Sequence, residues 1–106
     1  MVTVEIEKQG PRLYVKILHT RIDGDALLLS RIQEACSDAS DLELIEFDFK
    51  HVEYINSLGI TDLVNVHRAF NEGQRAVTLR LLHVNRKVNA ILELVDLGKI
   101  AEISLA

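Results

Sequence analysis

Two hydrophobic periods alternate along this chain, and that alternation restricts the fold more than any other property of the sequence. Val2, Val4 and Ile6 alternate with Thr3, Glu5 and Glu7, the period of two that marks a strand with one buried face. Lys8-Gln9-Gly10-Pro11 carries the strongest turn signal in the chain, and the aliphatic run Leu13-Tyr14-Val15-Lys16-Ile17-Leu18 follows it. Two strands joined so closely predict an antiparallel hairpin.

After Asp23-Gly24-Asp25 the period changes. Leu28, Ile32, Ala35, Cys36 and Ala39 recur at helical spacing, and Ser40-Asp41 closes that helix. Leu44-Ile45-Glu46-Phe47-Asp48-Phe49 then reads as a strand whose near-continuous apolar content suits a central position covered on both faces. Ile60, Leu63, Val64, His67 and Phe70 mark a second helix, with Gly73 as its C-terminal cap. Val77-Thr78-Leu79-Arg80-Leu81-Leu82 is a further strand. Val88, Ile91, Leu92 and Val95 mark a third helix that stops near Leu97-Gly98. Residues 100–105 read equally as a short strand or a last helical turn. The order is β-β-α-β-α-β-α plus a C-terminal tail.

Strands alternating with helices predict an α/β fold: one domain over residues 1–106, a mixed four- or five-stranded sheet, and helices mainly packed on one face. Val15, Ile17, Leu28, Ile32, Ile45, Phe47, Leu63, Leu79, Leu81 and Val88 form the expected core. At 106 residues the chain has room for one such core and not two.

Composition narrows the function. The formal net charge is −4 and the basic residues are scattered, which argues against binding a nucleic-acid backbone or an anionic membrane surface. No apolar run approaches a membrane span. The single cysteine, Cys36, rules out a disulfide framework, and the N-terminus lacks the charged and apolar regions of a signal peptide. A cytoplasmic protein is expected.

The most informative stretch is the junction into the second helix. Residues 50–55 connect the core strand to Asn56-Ser57-Leu58-Gly59, where Asn56 and Ser57 are both good N-cap residues. A serine hydroxyl at that position stands where free backbone N–H groups and the helix dipole favour negative charge. Phosphate on Ser57 would add about −1.5 to −2 charges at the surface without opposing the fold.

Phe47-Asp48-Phe49-Lys50-His51-Val52-Glu53-Tyr54-Ile55-Asn56-Ser57-Leu58-Gly59-Ile60 resembles, without a gap, the signature of the STAS domain family of anti-sigma factor antagonists. Ile22-Asp23 is similar to the family's Leu-Asp pair before its first helix. The segments 85–92 and 97–100 resemble its third helix and the turn after it. The resemblance implies a partner that is both anti-sigma factor and serine kinase, with Ser57 as phosphate acceptor and phosphorylation ending the association. It further implies a docking surface of Asp23, Asn56, Ser57, Leu58, Gly59 and Thr61, with Asp23 and Asp48 flanking the acceptor. The chain departs from the pattern at Asn56, where Asp is usual, and at Leu58, where a second hydroxyl residue is usual. It also carries Thr61 where glycine is common, and His19-Thr20 where a small pair precedes the first helix.

Other chemistries fit less well. A serine-hydrolase elbow needs glycine two residues before the serine, and Ile55 stands there. His19, His51, His67 and His83 show no metal-ligand spacing, and no phosphate-cradling glycine motif occurs. Asp25 and Asp62 are read as complements to helix N-termini. No enzymatic activity, cofactor or metal is therefore expected. Two functions stay open: an anti-sigma factor antagonist switched off by phosphorylation at Ser57, or a constitutive, unphosphorylated STAS adaptor in a signalling or lipid-transport assembly. The oligomeric state is open between monomer and weak dimer.

Overall fold

Gly10 closes the first hairpin with φ of 59°, a left-handed turn conformation in which only glycine is unstrained. It joins β1 (Val4–Gln9) to β2 (Arg12–Ile17), which pair antiparallel with Val4 opposite Ile17 and Gln9 opposite Arg12. The computed structural model describes residues 4–24, 27–36, 40–72 and 76–106. Val2, Asp25, Ala39 and Gly73, to which the sequence assigns strand, helix-capping or helix roles, lie outside the described residues.

Three further strands complete the main sheet: β4 (Leu44–Asp48), β6 (Thr78–Val84) and β7 (Ala101–Leu105). Its order is β1-β2-β4-β6-β7, parallel from β2 onward, so the mixed sheet has five strands and the tail is its last one. A 3-10 turn at Leu97–Lys99 reverses the chain into β7. The helices are α1 (Leu28–Ala35), α2 (Ser57–Phe70) and α3 (Arg86–Leu94).

In-register neighbours put Leu13, Val15, Ile45, Phe47, Leu79 and Leu81 on one face of the sheet, all buried. Leu28 and Ile32 of α1, Leu63 and Val66 of α2, and Val88 and Leu92 of α3 join them in one core cluster. Each such Leu or Phe contributes about 1.5–3 kcal/mol by leaving water. All ten residues expected in the core are there.

The opposite face of β4 is covered in a different way from the one its apolar run suggests. Glu46 and Asp48 point there and are buried by polar neighbours rather than by a second apolar layer. Glu46 pairs with Arg12 and, at 3.2 Å, with Arg80, which also holds Glu102 at 2.9 Å. Asp48 accepts the Tyr14 hydroxyl and the Lys50 N–H. Strand alternation is thus intact, and the two carboxylates read as interior only because paired side chains lie over them.

Candidate functional site

A second sheet, absent from the sequence reading, builds the site. Two-residue strands β3 (Arg21–Ile22) and β5 (Tyr54–Ile55) pair in parallel, with Ile22 opposite Ile55. The Thr20 carbonyl accepts from the N–H groups of Glu53 and Tyr54, and the Ile22 carbonyl accepts from that of Asn56 at 3.2 Å. The Arg21 guanidinium lies 5.0 Å from the centre of the Tyr54 ring, a cation–π contact across the strand pair. This pairing sets the loop at Asp23 directly beside the head of α2.

Asn56, not Ser57, is the cap. Its backbone is extended, and its side-chain oxygen accepts from the Gly59 N–H at 3.0 Å. Ser57 becomes the first helical residue and is exposed. Helix geometry leaves the N–H groups of Ser57 and Leu58 without intrahelical partners, so positive potential surrounds the Ser57 hydroxyl. Thr61, one turn on, donates its hydroxyl to the Ser57 carbonyl at 2.9 Å and is thereby tied to the helix backbone.

The two glycines near this turn have different duties. A Cβ on Gly59 would stand 2.2 Å from the Ile22 carbonyl oxygen, so only glycine lets α2 approach β3 this closely. Gly24, at φ of 98°, brings its loop against Leu58, where a Cβ would meet the Leu58 Cβ at 2.9 Å. Leu58 is nevertheless 61% exposed, and Leu27, at φ of 49°, is 58% exposed. The head of α2 therefore presents an exposed apolar side chain, Leu58, next to the exposed Ser57.

Asp62, one turn beyond Leu58, is half-buried and accepts from the Leu28 N–H at 3.1 Å. It serves the N-terminus of α1 from inside α2. Burial pushes its carboxyl above the ordinary value, against the bonds from Leu28 and Leu29.

Asp23, Asn56, Ser57, Leu58, Gly59 and Thr61 thus come together around one turn. Asp48 does not join them: its side chain lies on the polar face of the sheet. Burial alone would raise that carboxyl, but the Tyr14 hydroxyl, the Lys50 N–H and the charges of His83 and Lys16 hold it below its ordinary value. The same bond, with burial and the neighbouring charge, pushes Tyr14 up to about 12. Gly24 also belongs to the site, packed against Leu58. The Asp23-Gly24 turn signal was visible, but contact with Leu58 is a tertiary fact.

No helix among the described residues is long and apolar enough to cross a membrane. No protein-family profile and no curated protein matches the sequence. Solved structures do match. The anti-sigma factor antagonist SpoIIAA in its unphosphorylated form superposes with a TM-score of 0.68 at 12% identity, over 98% of this chain and 88% of that one. A proposed anti-sigma factor antagonist from Thermotoga maritima gives a TM-score of 0.71 at 17% identity, over 97% and 86%. The murine anion transporter Solute Carrier 26 family member A9 gives 0.64 at 14% identity, over 82% of this chain and 14% of the transporter. At such identities the likeness speaks for the fold. The chain has the STAS fold, the fold of these anti-sigma factor antagonists.

Proposed function

We propose that this protein is an anti-sigma factor antagonist that captures an anti-sigma factor with serine-kinase activity and is released when Ser57 is phosphorylated. The observation that carries the reading is the exposed Ser57 at the first position of α2, with Asn56 capping the helix before it. The fold shared with SpoIIAA supports it. A kinase reaches the hydroxyl without unfolding the helix, and the unpartnered N–H groups stabilise the resulting anion. A partner shaped around a neutral hydroxyl then has to desolvate a phosphate, and a hundredfold loss of affinity requires about 2.7 kcal/mol. Such a protein acts in the cytoplasm, by binding and not by catalysis.

Leu58 favours a second reading. It replaces the usual hydroxyl with exposed apolar area, as suits a constitutive adaptor, and the fold also occurs within a far longer transporter chain. Incubation with ATP and candidate anti-sigma kinases, followed by intact-mass measurement, separates the two. A single phosphate on the wild type, lost in Ser57→Ala, together with weak binding by Ser57→Asp, is the outcome for the antagonist. Label on Thr61, or no label with full binding by Ser57→Asp, leaves the adaptor.

A further inference from the structure

The main sheet ends on β7 (Ala101–Leu105), and among the described residues no strand pairs with its outer side. The Ala106 N–H donates to the Val84 carbonyl at 2.9 Å. A residue's N–H and C=O point to the same side of a strand, and successive residues alternate. Glu102 and Ser104 therefore bond to β6, while the backbone groups of Ala101, Ile103 and Leu105 point outward from the edge. The opposite edge is blunted: Glu5, Glu7, Lys8 and Gln9 of β1 are all exposed. In β7 the residues whose backbone groups point outward are Ala101, Ile103 and Leu105, of which Leu105 is 56% exposed, and the strand's one charge, Glu102, is held by Arg80 on the polar face. Between β7 and α3 runs a groove of about 540 Å³ lined by Asn89, Glu93, Asp96, Lys99, Ile103 and Leu105.

We infer that β7 pairs antiparallel with β7 of a second copy of this chain, about a two-fold axis at Ile103, joining two five-stranded sheets into one. Hydrogen-bond parity fits this occupant. The axis sets Ile103 opposite its own counterpart and Ala101 opposite Leu105, so every outward N–H and C=O of the three residues meets a partner. Side-chain pairing also fits. Leu105 of one copy meets Ala101 of the other on the groove side, and on the polar face Glu102 meets Ser104 rather than another glutamate. Charge agrees independently. Arg86 does not line the groove, but helical spacing sets it one turn before Asn89 and two before Glu93, which do, on the same flank of α3. A two-fold sets the two α3 helices antiparallel, so Arg86 of each copy faces Glu93 of the other. A strand from a different protein would satisfy the edge, but nothing on it would require the antiparallel α3 match. The surface shares no residue with the head of α2.

The test is sedimentation equilibrium of the full chain over a wide concentration range, with hydrogen exchange on the same samples. A concentration-dependent dimer is expected. The amides of Ile103 and Leu105 should gain protection as it forms, while those of Glu102 and Ser104 are protected throughout. Arg86→Glu should weaken association by about tenfold, since symmetry repeats the contact, and Arg86→Glu with Glu93→Arg should restore it. Both positions are exposed, so the monomer should stay folded. A monomer at every concentration overturns the inference. So does a dimer that ignores the charge swap or leaves the Ile103 and Leu105 amides exchanging freely.

Discussion

Asp62 of α2 accepts the N–H of Leu28 at 3.1 Å, so one helix supplies the cap for another. The residue before α1, Leu27, is left-handed and has no side-chain oxygen to offer, which leaves α1 dependent on its neighbour. Burial raises the Asp62 carboxyl above 3.8, so the native chain takes up this proton more readily than the unfolded chain. Its contribution to stability is then greatest below that value and declines as pH rises through the raised one. Asp62→Asn keeps an acceptor for Leu28 without a titrating group. Denaturant titrations across the mildly acidic range should show this decline in the wild type and its absence in the variant. Asp62→Ala should also be flat, and about 1 kcal/mol less stable from loss of the cap.

The Tyr14–Asp48 pair should set the two ends of the pH profile. Asp48 is held below 3.8, so its contribution is present above that value and lost as pH falls through the lowered one. Tyr14 is raised from 10.0 to about 12, so its contribution is present below 10.0 and lost between there and about 12. Tyr14→Phe removes the hydroxyl on which both depend. It should cost about 1 kcal/mol near neutrality and flatten both limbs, measured by denaturation across the pH range. A variant that keeps the alkaline limb would show that another group titrates there.

Gly59→Ala tests the contact that places the site. The new methyl would have to displace the Ile22 carbonyl, a backbone atom already accepting from Asn56. Overpacking of this kind costs about 1–3 kcal/mol, and here it should also separate β3 from α2. Chemical denaturation should read the loss, and amide exchange at Asn56 should rise selectively. Equal stability would mean that α2 can shift freely, and the Asn56–Gly59 turn would then not be rigid.

The elements behind the site differ in how far the sequence shows them. The main strands and helices were legible because each repeats its period over several residues, as in Ile45 and Phe47 or Leu28 and Ile32. Strands β3 and β5 are two residues long, too short for any period to show, yet they bring Asp23 beside Asn56. The motif around Ser57 was legible as a capped helix start, but local chemistry alone could not choose between Asn56 and Ser57 as cap. The extended backbone of Asn56 decides it. Asp62 read as a complement to a helix N-terminus, and only tertiary packing assigns it to α1. The run 44–49 looked like a strand between two apolar layers because the cover over Glu46 comes from Arg12 and Arg80, which no local pattern reveals.

Leu58 decides whether the head of α2 is a docking surface. It is 61% exposed, and its contact with the Gly24 loop is made through Cβ, which serine retains. Leu58→Ser should therefore leave stability within about 0.5 kcal/mol, as for other exposed positions. Partner affinity should fall by about tenfold or more, because the lost apolar area can no longer leave water at the interface. Titration calorimetry against the proposed anti-sigma partner, paired with thermal unfolding of the free protein, reads both quantities. Leu27→Ser supplies the control: it removes a similar exposed apolar side chain outside the Asn56–Gly59 turn, so it should leave partner affinity nearly unchanged. A large drop in melting temperature for Leu58→Ser would place Leu58 in the core. Unchanged affinity in Leu58→Ser would move the docking surface away from Ser57, and with it the reason that a phosphate there should release the partner.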